Sequence, residues 1–160
     1  MPEEKRRRFI LFRVVYELAA EDPLPARQTE GRFHAGEDLK SHTYYLAEEE
    51  DTCWAEVNAH KDRPVDPHLY RVFRVEAALS RVVDLTEPAV RKRYRMTRGE
   101  LEDVLHREPC QALGKLLREQ GVQAIRTYSA ARKGAVNVVL FAENLDASCE
   151  LRCQENQEAK

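Results

Sequence analysis

The chain has 160 residues and a formal net charge of -2, with 42% hydrophobic and 34% charged residues. That length suits one core of ordinary size and is short for two, and the hydrophobic share suits a globular fold. The charge balance argues against a dedicated nucleic-acid binder, because the basic clusters KRRR (5–8) and RKRYR (91–95) are offset by acidic runs such as EEED (48–51).

In chain order, MPEEKRRRFILF places basic residues before a brief apolar stretch with no small-residue cleavage site, so no export signal is read and the cytoplasm is the expected location. FILFRVVYE (9–17) is rich in large and β-branched residues and predicts a first strand. AEDPLPARQTEG (20–31) carries two prolines and a closing glycine and predicts a loop, after which Arg32 and Phe33 start a short second strand. TYYLA (43–47) predicts a third strand. EEEDTCWAEVNAH (48–60) places Cys53, Trp54 and Val57 on one face at helical spacing, which puts Glu56 on a helix just past a strand.

KDRPVDPH (61–68) is a second proline loop, and LYRVFRVEA (69–77) and SRVVDLT (80–86) are β-rich segments close enough to pair. TEPAVRKRY (86–94) offers Thr86 as an N-cap with Pro88 in the first turn, and TRGE (97–100) fits a capping box ahead of LEDVL. In PCQALGKLLREQG (109–121) Cys110, Leu113, Leu116 and Leu117 make one stripe, and Gly121 supplies the stop. VQAIRTYSAA and AVNVVLFAENL return to strands; the latter, which holds the polar Asn137, is too short to cross a bilayer. QENQEAK (154–160) predicts a frayed polar tail behind a single domain over 1–153. The pattern as a whole predicts an α+β fold with a mixed, mainly antiparallel sheet flanked by helices. The four cysteines, 53, 110, 149 and 153, contain no CxxC pair and lack a close second ligand pair, so neither a disulfide framework nor a metal site is expected.

Five of these pieces, in this order, resemble the RES-domain family of toxins from bacterial RES and Xre toxin–antitoxin pairs: FRVVYE, GRFH, YYLAEEEDTCWAE, TYSAA and NVVLF. The interval from Tyr45 to Glu56 fits the family's tyrosine-to-glutamate spacing, so Tyr45 rather than Tyr44 takes the family role. The chain departs from the pattern at GRFH, where the family often has GRWN, at the long polar connection AGEDLKSHT, at Cys53, and at Tyr128. The resemblance implies a fold similar to ADP-ribosyltransferases, NAD as substrate, no metal, and a small Xre-type antitoxin as partner, with no direct binding to nucleic acid or membrane. It implies cleavage of the nicotinamide–ribose bond by hydrolysis or phosphorolysis. The alternatives are protein ADP-ribosylation, or a binding module that keeps the fold without turnover.

The residues carried over suit that chemistry. Departure of a cationic leaving group passes through an oxocarbenium-like state, which the Glu56 carboxylate would stabilise. A pyrophosphate wants a planar, permanently charged fork, the role implied for Arg32 with Arg13. Tyr45 offers an aromatic face and a hydroxyl, Ser129 a hydroxyl for ribose, phosphate or acceptor, and Asn137 a further contact to NAD. Against these stand plain readings: Glu56 as a solvated helix residue, Arg32 as a surface strand residue, Tyr45 as a core or rim tyrosine, Ser129 as a turn residue. His34 either lines the pocket in place of the family's asparagine or has no direct role.

Overall fold

Seven strands can be traced in the described residues: β1 (Arg7–Tyr16), β2 (Thr43–Ala47), β3 (Tyr70–Leu79), β4 (Val82–Asp84), β5 (Ala124–Tyr128), β6 (Val136–Phe141) and β7 (Glu150–Glu155). They form one sheet in the order β4-β5-β6-β2-β1-β3-β7. The helices are α1 (Glu50–Ala59), α2 (Pro88–Tyr94), α3 (Arg98–Glu102) and α4 (Glu108–Glu119). The structure is a computed structural model that describes residues 6–16, 31–35, 42–59 and 65–155. Every neighbouring strand pair is antiparallel except β4 with β5, so the expected α+β class with a mainly antiparallel sheet is the one found.

Strand alternation sets the two faces. Phe9 and Leu11 stand opposite Ala77 and Val75 and share one face with Leu46, Val138 and Leu140 in a first core cluster. Ile125, Val139 and Phe141 point to the other face, where Leu101 of α3 and Cys110, Leu113 and Leu117 of α4 pack on them together with Phe33. The sheet is weakest in its middle: β1 and β2 are in register only at Phe12 and Ala47, so the two halves part there. That parting leaves room beside α1 for a site.

Several local expectations are corrected. Arg32 and Phe33 are not a strand but the two turn residues between Gly31 and His34, which form an isolated antiparallel bridge. β3 and β4 do not pair: both edges of β3 are taken by β1 and β7. The Gln123 side chain accepts the N–H groups of Ser80 and Arg81 at 2.9 and 3.2 Å, and the chain beyond them runs parallel to β5. Thr86 is not the α2 cap, because its hydroxyl and N–H both donate to Asp84; Glu87 takes the N-cap position without a side-chain bond. Leu116 is 45% exposed, and Gly114 takes its place on the buried stripe of α4. The expected tail begins inside β7, whose Glu155 is held by Arg71 through two bonds of 3.0 and 2.6 Å; residues 156–160 lie outside the described residues, as do 20–30 of the first loop and 61–64 of the second. The capping box is as expected, with Thr97 and Glu100 bonding reciprocally, and Gly121 follows α4 with a φ of +81°.

One charged cluster ties the sheet to the start of α1. Arg126 of β5 donates to both oxygens of Glu48 at 3.0 and 2.8 Å, and to Asp84 at 3.2 Å, which also accepts from Arg7 at 2.9 Å. Its bonds to Glu48 hold the Arg126 guanidinium well above its ordinary pKa. Burial pushes the Asp84 carboxyl up, but Thr86, Arg7 and Arg126 outweigh it and leave the group below its ordinary value. Arg126→Ala removes both bonds to Glu48 and one of the several that hold Asp84, which keeps Arg7 and Thr86, and is expected to cost about 1.5–3 kcal/mol in urea unfolding. A depressed folded pKa means that the Asp84 contribution is present above about pH 4 and is lost as pH falls through the folded value. Acid unfolding of Asp84→Asn should therefore be shallower than that of the parent; an equally steep acid limb would remove Asp84 from this role.

Candidate active site

Glu56 lies on the second turn of α1, and the helix is held by residues on either side of it. Thr52 and Cys53 are buried, the Cys53 thiol donates to the carbonyl of Phe12 at 3.1 Å, and Trp54 meets Tyr70 edge-on at 5.9 Å. Burial, reinforced by the nearby Glu56, pushes the Cys53 thiol up to about 12, so it stays neutral beside the carboxylate.

Two donors fix the carboxylate itself. Ser129 Oγ donates to Glu56 Oε1 at 2.9 Å, and Asn137 Nδ2 donates to the same oxygen. Ser129 Oγ in turn accepts from the N–H groups of Ala131 and Arg132 at 3.1 and 3.2 Å. Those bonds leave the hydroxyl proton one destination, which is Glu56. Both donors reach Oε1, and Oε2 has no hydrogen-bond partner among the described residues.

Tyr45 is organised by the Gly31–His34 turn. Its hydroxyl accepts from the N–H of Phe33 at 2.9 Å and meets His34 Nδ1 at 2.8 Å. A Cβ on Gly31 would stand 2.5 Å from the Tyr45 hydroxyl and 2.8 Å from the His34 ring, so a larger residue there would have to displace one of these side chains. α4 closes the turn from behind: Gln111 donates to Gly31 O at 3.0 Å, and Gly114 lies against the backbone of Phe33. With Phe33 fully buried, the turn offers Arg32 to the site, and one guanidinium nitrogen donates to Asp103 O at 2.5 Å.

These elements enclose a cavity of about 350 Å³ lined by Arg32, Tyr45, Glu56, Arg107, Thr127 and Asn137, among others. A second, of about 220 Å³, lies where β1 and β2 part and is lined by Arg13, Tyr45, Cys53 and Glu56. Tyr45 and Glu56 border both. Thr127 and Asn137 face each other across β5 and β6, and Thr127 Oγ1 and Asn137 Oδ1 are buried with no partner among the described residues. Both residues line the larger cavity, which gives its wall polar groups beside the Glu56 carboxylate.

The RES domain family model matches residues 10–158, nearly the whole chain. The chain belongs to the RES-domain family. Its fold also matches a crystal structure of the M. tuberculosis MbcT–MbcA toxin–antitoxin complex, with a TM-score of 0.72 and 20% identity, covering 97% of this chain and 87% of that one. No match is found among curated proteins.

The RES domain brings together most of the residues singled out in the sequence. Arg32, Tyr45, Glu56 and Asn137 border one cavity, and Arg13 borders the adjoining one. Tyr44 points to the opposite core, where the Arg13 guanidinium lies 5.6 Å from its ring centre. Ser129, 1% exposed, supports Glu56 from behind, and His34, fully buried, supports Tyr45. Arg107, Val104 and Thr127 line the cavity without having been singled out. Only Thr127 left a signal, since period-two alternation in β5 puts it on the same face as Ser129. Among the described residues no group of three or more His, Cys, Asp or Glu side chains is placed to hold a metal ion, and no helix is long and apolar enough to cross a membrane.

Proposed function

We propose that this RES domain cleaves the nicotinamide–ribose bond of NAD and acts as a toxin restrained by an Xre-type antitoxin. The observation that carries the reading is the Glu56 carboxylate, fixed by Ser129 and Asn137 where two cavities meet. A carboxylate at such a junction suits a bond between two bulky groups. In the proposed step the C–N bond breaks with both electrons leaving on nicotinamide, which departs neutral. The positive charge passes to the ribosyl oxocarbenium, next to Glu56, and the acceptor oxygen then adds to the anomeric carbon and gives up its proton. Water, inorganic phosphate or a protein side chain would each complete this same first step. NAD as substrate and a protein antitoxin place the activity in the cytoplasm.

Purified chain incubated with NAD should release nicotinamide, and the mass of the ADP-ribose product identifies the acceptor. NAD left intact over hours, with and without phosphate, would sink the enzyme reading and leave the binding-module alternative. Arg32 is assigned the pyrophosphate, a contact present already in the ground state. Arg32→Ala is expected to weaken NAD affinity about tenfold to a hundredfold, and Arg32→Lys to recover only part because the fork is gone. Calorimetry on the two variants checks this, and unchanged affinity in the alanine variant removes the role.

A further inference from the structure

The outer edge of β7 is paired with no described strand, and Glu150 through Gln154 are exposed on both faces of the sheet. Charged residues on an edge commonly prevent pairing with another strand. Here the charges have opposite signs two residues apart, Glu150 and Arg152, around Leu151, which is 37% exposed.

We propose that two copies of the chain associate through β7, antiparallel, about a two-fold axis at Leu151. The register follows from strand geometry. On an edge strand, alternate residues point their N–H and C=O groups outward, and residues directly opposite in an antiparallel pair must match in this respect. A two-fold axis relating two β7 strands must therefore pass through a residue position, not between two. An axis at Glu150 sets glutamate against glutamate, and one at Arg152 sets arginine against arginine. An axis at Cys153 sets Leu151 against Glu155. At Leu151, leucine meets leucine, and each Glu150 meets the other copy's Arg152, a favourable cross-strand pair made twice. β7 is anchored well enough to present this edge, since it pairs with β3 over six positions and Glu155 is clamped by Arg71. The candidate active site lies beyond β1 and β3, so the edge is separate from it.

Sedimentation of the full chain at micromolar concentration should give twice the 18.6 kDa chain mass. Arg152→Glu, which places glutamate against glutamate at both contacts, should weaken self-association about tenfold or more. Glu150→Arg should do the same, although it also gives up an exposed 3.1 Å ion pair with Arg6. Combining Glu150→Arg with Arg152→Glu restores complementarity and should restore the dimer, an outcome that mere damage to β7 would not produce. The register is read by oxidation: with Cys149 and Cys153 changed to serine, Leu151→Cys should form a disulfide-linked dimer, and Gln154→Cys should not. A chain that stays monomeric, a dimer indifferent to Arg152→Glu, or cross-linking at 154 in preference to 151 would each overturn the proposal, including the case in which another protein's strand occupies the edge.

Discussion

Glu56→Gln is expected to lower turnover of NAD by about a hundredfold or more while changing NAD affinity by less than about threefold. The substitution is close to isosteric and keeps an amide oxygen for Ser129 and Asn137, both of which donate to Oε1 in the parent. The site's shape is therefore preserved, and what is lost is the negative charge. A charge opposite a developing cation contributes most when the cation is formed, so its removal falls on rate and not on binding. Asn137→Ala leaves the charge and removes one of the donors that hold it, so its effect should lie between parent and Glu56→Gln. Nicotinamide release under saturating NAD, with affinity from calorimetry, separates the two. A Glu56→Gln protein that turns over NAD at the parent rate would remove Glu56 from the chemistry, and one that loses affinity as much as rate would make it a binding residue instead.

How much of this was legible in the sequence depended on whether the cause was local. Strand and helix identity, the Thr97–Glu100 capping box and the Gly121 stop were readable because each is set by neighbours in the chain. The pairing of β4 with β5 was not, because it depends on Gln123, some forty positions away, capturing the N–H groups of Ser80 and Arg81. β7 was missed because both its faces are exposed and ELRCQE carries no buried alternation. In the site, Arg32, Tyr45 and Glu56 could be chosen by chemical type and order. The work of His34 and Ser129 could not, since a residue that bonds another site residue from behind has no signature of its own in one sequence. The Arg32–Phe33 turn looked like a strand for a related reason: what bends it is Tyr45's hydroxyl on one side and α4 on the other.

That last contact gives the second large effect, Gly114→Ala. Alanine in mid-helix ordinarily stabilises by about 1 kcal/mol relative to glycine. At position 114 the added Cβ would stand 2.1 Å from the carbonyl oxygen of Phe33 and 2.9 Å from its carbonyl carbon, so helix and turn must separate by an ångström or more. Backbone cannot rotate aside as a side-chain tip does. The net result expected is a loss of about 2–3 kcal/mol in urea unfolding, against the helix-propensity gain. The turn that moves carries Arg32 and supplies the Phe33 N–H that orients Tyr45, so turnover should fall together with stability, at temperatures where the variant is still folded. Gly121→Ala serves as the contrast: nothing lies within 4 Å of its Cβ, but its φ of +81° is strained for alanine. It should cost about 1 kcal/mol and leave turnover unchanged. If Gly114→Ala proves more stable than the parent, or keeps full turnover once folded, then α4 does not hold the Arg32 turn in place.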